Sequence, residues 1–501
     1  MRRWSLEVLV FFVGAGTLGA EIAAARLLAP WFGSSTIVWA NTIAIVLVAL
    51  SVGYALGGRL ADRSPDPRRL AVVVLIASVL LAIVPLVSGP FLRAAVSAVD
   101  ELSVATFLGS LVGVGALVAV PLLLLGMVSP FALRLRLGAV ADTGHAGRTA
   151  GRLSAIGTVG SLVGTFAASL LLIPVVGTRR TFLIFAALMA LAAVPLLVGR
   201  VRWVAVMVPA AILALIAAPT GTVKAETSGD SRVIWERETE YQYARVIEDP
   251  DKTRWLELNE GHAVHSVYRP GEWLTGGYWD EMFGLSLAGG RVPSSVAILG
   301  SAAGTTARQI GHYFPSTRVD AVEIDPDVTS VGLSLFDLSG PHLVTHDADA
   351  RPWLGASDRR FDVIMVDAYR QPYIPFYLTT QEFFSSVRSH LTPGGVLVLN
   401  SAHPEGSDTL EKALTATLRS VFGDDDVWRN PAQPTNSQLI ATLGDSPVTA
   451  LDAVDVPDDV SSLVNDIGSR LEPGLRGGPV WTDDKAPVEW LTDMSLAGEI
   501  D

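Results

Sequence analysis

Seven apolar runs follow one another in the first part of the chain, at 6–30, 36–58, 70–90, 103–128, 153–175, 181–199 and 203–219. Each is close to the roughly 20 helical residues needed to cross a hydrocarbon layer. Backbone in lipid must satisfy its own hydrogen bonds, so such a series folds as a multi-pass α-helical bundle with the lipid bilayer as its partner. Arg2 and Arg3 ahead of the first run would suit a signal peptide. Glu21 stands where cleavage would fall, however, and six more runs follow, which argues for a span. Gly157, Gly160 and Gly164 are small residues of the kind that let helix backbones approach in lipid. Glu21, Arg26 and Asn41 lie within or beside the runs. The reading favoured for them is structural, with Glu21 paired locally and Arg26 reaching the interface; the competing reading is functional.

Residues 1–221 contain 16 Arg, no Lys and 7 acidic residues, whereas 222–501 contain 21 basic and 43 acidic residues. So abrupt a reversal marks a domain boundary. The acidic half would repel phosphates, which excludes nucleic acid as a partner. The absence of cysteine excludes disulfides and zinc-thiolate sites, and no metal is expected. Arg2, Arg3, the group from Arg59 to Arg69, that from Arg134 to Arg152, and Arg200 with Arg202 fall on one side of the bundle. That side is then cytoplasmic, which with seven spans puts the acidic half outside. The stretch from Gly57 to Arg69 also resembles a cytoplasmic loop of major-facilitator transporters.

Beyond the boundary, ARVIED, RWLELNEG and HAVHSVY alternate with period two and predict a small antiparallel β-region over 222–285. Over 286–501, strand-like runs at 295–300, 318–324, 342–346, 361–367, 394–400 and 437–444 are separated by helical stretches. This predicts a Rossmann-like, mostly parallel, doubly wound sheet, in which ligands bind at the carboxyl ends of the strands. Gly300 and Gly304 close the first strand, Glu323 ends the second with Asp325 beyond it, Asp349 follows the third and Asp367 ends the fourth. An acidic residue about 20 positions after a glycine loop is placed to accept from ribose hydroxyls. The alternative is that these carboxylates cap helices.

The order YQYARV (241–246), glycine loop, VEIDP (322–326), DARPWL (349–354), FDVIMVDAY (361–369) and LTTQEFF (378–384) resembles the spermidine synthase family, and the fused apolar half resembles its membrane-attached branch. The resemblance implies a β-domain followed by a methyltransferase-like Rossmann domain. It also implies transfer of an aminopropyl group from decarboxylated S-adenosylmethionine to a small amine, leaving methylthioadenosine. By the same likeness Gln242, Glu323, Asp349 and Ala350 contact the nucleoside and Asp367 is the general base. His265, Tyr278, Asp280 and Glu281 then line the amine groove. A cytosolic donor of this kind leads us to expect a cytoplasmic soluble domain, against the arginine bias.

Two positions depart from the family pattern. Ala303 stands where the glycine loop carries an amine-binding aspartate, and Arg370 replaces the second aspartate of the gate motif. A fixed guanidinium disfavours a polycationic acceptor. The competing functions are therefore transfer from S-adenosylmethionine to a non-polyamine acceptor, and a transporter with a nucleoside- or polyamine-sensing domain. A homo-oligomer is among the open possibilities.

Overall fold

A computed structural model describes residues 3–32, 36–99, 105–138, 146–218, 223–224, 227, 229–259, 264–369, 373–403 and 405–491. The chain forms two compact units, Met1–Glu226 with Arg237–Tyr243, and Thr227–Glu236 with Ala244–Asp501.

The first unit contains α1 (Arg3–Phe32), α2 (Thr36–Arg63), α3 (Pro67–Val99), α4 (Ala105–Gly126), α5 (Val128–Gly138), α6 (Ala146–Phe166), α7 (Ile173–Ala193) and α8 (Arg200–Ala217). Six helical segments among the described residues are long and apolar enough to cross a membrane. One of these, Ala146–Leu196, joins the fifth and sixth apolar runs of the sequence through a π-helical turn at Ala167–Leu172. It is not one straight rod, because Gly177 leaves the helical region with φ 81° and ψ 165°. Gly160 and Gly164 lie on the backbone of Phe11 and Ala15 in that order, so α6 runs parallel to α1. Met189 and Phe185 lie on Gly16 and Gly19 in the reverse order, so α7 runs antiparallel to α1. The chain therefore reverses at Gly177, a turn that its left-handed backbone permits.

Absence of side chains sets the closest helix approaches. A Cβ on Gly164 would stand 2.1 Å from the Ala15 carbonyl oxygen, and one on Gly53 would stand 2.2 Å from that of Leu123. The bundle thus contains two close pairs, α1 with α6 and α2 with α4, of the kind small residues allow in lipid. Buried Asn41 donates to Ser110 Oγ at 2.9 Å, joining α2 to α4. Glu7 accepts from Arg136 at 2.7 Å and Arg152 at 3.1 Å. Arg26 donates to the Glu240 carbonyl. The local partner expected for Glu21 is missing: among the described residues it makes no hydrogen bond or ion pair.

A four-stranded sheet runs β1 (Arg232–Glu238), β2 (Tyr243–Glu248), β3 (Arg254–Leu258), β4 (Val264–Tyr268) in chain order, with β2–β3 and β3–β4 antiparallel. After α9 (Tyr278–Leu285) come β5 (Ser295–Leu299), α10 (Thr305–Tyr313), β6 (Arg318–Glu323), α11 (Pro326–Leu335), β7 (Leu343–Asp347), α12 (Ala350–Gly355), β8 (Phe361–Val366), α13 (Gln381–Ser389) and β9 (Leu391–Ala402). The chain then adds α14 (Thr409–Phe422), β10 (Val427–Gln433), β11 (Asn436–Thr442), α15 (Pro447–Ala453), α16 (Asp458–Arg470) and β12 (Glu472–Pro473). The large sheet has the order β12-β10-β11-β9-β8-β5-β6-β7, with β5 to β9 parallel and β10 to β12 antiparallel. Its central strands read as near-continuous apolar runs because helices cover both faces, burying Val296, Ile298, Leu299, Ile364, Val366, Leu397 and Leu399. The Rossmann-like, doubly wound architecture expected from the sequence is what forms. The strand order reverses between β5 and β8, where a crevice opens beyond the carboxyl ends.

Candidate active site

The loop after β5 is built for close approach. Gly300 has φ 88°, and a Cβ there would stand 2.5 Å from Ala368 Cα at the end of β8. Gly304 has φ 89°, with Leu338 filling the space a side chain would need. Ala302 between them is also left-handed, at φ 47°, a costly conformation for a residue with a Cβ. The small sheet fastens this loop. Ser266 Oγ accepts from Ala303 N at 3.0 Å, and Thr305 Oγ1 accepts from Val267 N at 2.8 Å.

Glu323, at the end of β6, accepts from Ala302 N at 2.9 Å through one oxygen and from Asp325 N at 3.1 Å through the other. Burial pushes its carboxyl up to about 7, against the lowering effect of these N–H groups. Asp325 caps α11 through Asp327 N at 3.1 Å, and Asp349 caps α12 through Arg351 N at 3.1 Å. The capping alternative therefore describes what one oxygen of each does. The second oxygen of Asp349 accepts from Tyr377 OH at 3.0 Å. Ala350, buried, opens α12 beside it.

Asp367 follows β8, and Asn400 Nδ2 donates to it at 2.7 Å from the end of β9. Tyr278 lines the same cavity as this carboxylate. Burial pushes Asp367 up to about 7, the Asn400 bond and the Tyr278 hydroxyl pull it down, and the charge of Glu323 adds to the rise. Tyr278 itself is held well above the usual phenol range by burial and by Asp367. Tyr369 buttresses Asn400, donating from its hydroxyl to the Asn400 carbonyl at 3.0 Å and accepting from Ala402 N at 2.7 Å. A narrow cavity is lined by His265, Tyr278, Gly300, Ser301 and Asp367, bringing together four of the residues singled out in the sequence.

Two expected groove residues are engaged elsewhere. Asp280 is buried and accepts from Thr275 N at 2.8 Å and Gln309 Nε2 at 2.5 Å, as well as from Gly276 N. Glu281 accepts from Arg470 through both oxygens, at 2.9 and 2.7 Å, and from Asn430 at 2.8 Å. Gln242 is buried in the turn before β2, its N–H on Thr239 Oγ1 at 3.0 Å. Arg370 lies outside the described residues. Asn400, Ser301, Tyr369 and Tyr377 were not singled out in the sequence. Asn400 had a signal, since it closes the 394–400 run, whose strand pairs in parallel with the one that Asp367 follows, with Val366 opposite Leu399.

Residues 278–428 match the spermine/spermidine synthase domain. The chain is 34% identical over 283 residues to the "Probable polyamine aminopropyl transferase" of Bifidobacterium longum, covering 52% of this chain and 63% of that protein. It therefore spans somewhat less than two thirds of that relative. The "Polyamine aminopropyltransferase" of Mycobacterium tuberculosis is 27% identical over 454 residues, covering 83% of this chain and 81% of that protein, an extent that takes in much of the helical half as well. A probable spermidine synthase structure from Corynebacterium glutamicum aligns over 50% of this chain and 96% of that one, at 21% identity and TM-score 0.39. The strand-end carboxylates, the fastened glycine loop and the matched span agree: the C-terminal part of this chain carries a spermine/spermidine synthase domain.

Proposed function

We propose that this domain transfers an aminopropyl group from decarboxylated S-adenosylmethionine to an amine. The observation that carries the reading is Asp367, held by Asn400 beside Tyr278 at the reversal of strand order, with Glu323 close enough to raise its proton affinity. The relatives named polyamine aminopropyltransferase support it. Glu323 accepts from the ribose hydroxyls. Asp349 and Ala350 meet the rest of the nucleoside, and Gly300 and Gly304 let the backbone approach it, with Asp325 holding α11 in place. The sulfonium carbon is already electrophilic, so the protein's task is alignment and a neutral nucleophile. Asp367 accepts the amine proton as the C–N bond forms and the C–S bond breaks, releasing methylthioadenosine.

His265, Tyr278 and Asp367 are the acceptor-side groups in this reading. Asp280 and Glu281 act as structural latches, since each already accepts three or more hydrogen bonds from the scaffold, against two for Glu323 and Asp349. With Ala303 uncharged and an arginine, Arg370, three residues after Asp367 in the sequence, an acceptor less cationic than a long polyamine is favoured. Mass spectrometry of purified protein with decarboxylated S-adenosylmethionine and a panel of amines tests this. Methylthioadenosine with an aminopropylated short amine is expected, and S-adenosylhomocysteine from S-adenosylmethionine would select the other transferase reading.

The helical half is proposed to cross the bilayer seven times, because α6 and α7 run in opposite directions along α1. The arginine-rich segments then share the cytoplasmic face. An odd number of crossings brings the synthase domain out on the opposite face, against the expectation drawn from a cytosolic donor. The sulfonium donor must then be supplied on that side.

A further inference from the structure

The two close helix pairs leave a seam between them. A cavity of ≈ 270 Å³ lies there, walled by α1 and α6 on one side and by α2, α4 and α5 on the other. Its lining carries six hydroxyls, those of Thr17, Tyr54, Ser129, Ser154, Thr158 and Ser161. Three of these have their proton committed to backbone. Thr17 donates to Val13 O at 2.7 Å, Thr158 to Ser154 O at 3.0 Å and Ser161 to Gly14 O at 3.3 Å. A hydroxyl whose proton is committed still offers its lone pairs. Those three offer the cavity lone pairs only, and Tyr54, Ser129 and Ser154 can accept as well, so the lining suits a ligand rich in N–H donors.

Charge selects further. Glu7 lies one turn before Val10 of the lining, but Arg136 and Arg152 neutralise it. Glu21 lies four residues, about one turn, beyond Thr17 and on the same face of α1 as Gly14 and Thr17. It is half-buried and has no partner among the described residues. An unpaired carboxylate within a span is costly, and a bound cation offsets that cost. We propose that the seam between the helix pairs binds an alkylammonium ion, with the hydroxyls accepting from its N–H groups and Glu21 as its counter-charge. The site is separate from the synthase domain and does not depend on the reaction assigned to that domain.

The test is equilibrium binding of radiolabelled putrescine to the full-length protein in lipid nanodiscs, with methylthioadenosine formation measured on the same preparations to report the synthase domain independently. Glu21→Gln should remove one bound equivalent per chain, an affinity loss of at least ~10-fold for a charge-assisted contact, and Glu21→Asp should retain it. Equal stoichiometry and affinity in the parent and Glu21→Gln would overturn the proposal. Should Glu21→Gln fail to fold, Thr158→Val with Ser129→Ala removes two acceptors at little change in volume. That pair must weaken putrescine several-fold, and unchanged affinity overturns the proposal equally.

Discussion

The Asn400 side-chain amide donates to the Asp367 carboxylate at 2.7 Å, while Tyr369 holds the Asn400 backbone from the other side. A donor on a carboxylate stabilises the ionised form. Asn400→Leu should therefore move the Asp367 midpoint upward from about 7. Since the base works ionised, kcat/KM should rise with pH through that midpoint in the parent and through a higher one in the variant. At neutral pH the loss should be about 10-fold, the scale of one hydrogen bond to a charged group. Superimposable pH profiles would show that Asn400 does not tune the base.

On the nucleoside side, Tyr377 OH and the α12 N–H share the two oxygens of Asp349. A carboxylate oxygen has room for a second donor, so Tyr377 orients Asp349 without excluding the adenine amino group. Tyr377→Phe should weaken methylthioadenosine binding by several-fold in calorimetry, and Asp349→Ala should weaken it further. Tighter binding by Tyr377→Phe would mean that the tyrosine competes with the nucleoside instead.

Glu281 provides the sharpest contrast between groove and scaffold. Its pair with Arg470 ties α9 to α16 through two hydrogen bonds, with Glu281 15% and Arg470 34% exposed at the side chain. Glu281→Ala strands a guanidinium, and should destabilise the protein by about 1–3 kcal/mol in denaturant unfolding. KM for the amine should stay within about twofold, since a residue that does not touch the amine contributes no binding to it. A large rise in KM at unchanged stability would return Glu281 to the groove.

The sheet was legible because its central strands are buried on both faces, and six apolar runs of strand length separated by helices admit few other folds. The strand-end carboxylates were legible for the same reason, as topology alone puts Gly300, Glu323, Asp349 and Asp367 on one edge. What each oxygen does was not legible. Capping by Asp325 and Asp349, and the capture of Asp280 by Thr275 and Gln309, depend on backbone direction at single residues. Glu281 meets Arg470 across 189 residues, a separation that no local pattern encodes. In the helical half, composition located the apolar runs, but the reversal at Gly177 rests on one dihedral angle.

On the seven-crossing proposal, that reversal sets the parity of the bundle. An alkaline phosphatase fusion after Leu491 should be active, and one in the Asp62–Arg69 segment inactive, if seven crossings carry the synthase domain to the face opposite the arginines. Inactive fusions at both positions would restore a cytoplasmic domain and an even count.

The most direct measurement is methylthioadenosine formation from decarboxylated S-adenosylmethionine by the parent and by Asp367→Asn, with donor binding followed in parallel. The parent should release methylthioadenosine only when an amine acceptor is present. Asp367→Asn should turn over about 10²–10⁴-fold more slowly, the usual contribution of a positioned base, with donor affinity little changed. Near-parental turnover by Asp367→Asn, or no methylthioadenosine from the parent with any amine, would contradict the account.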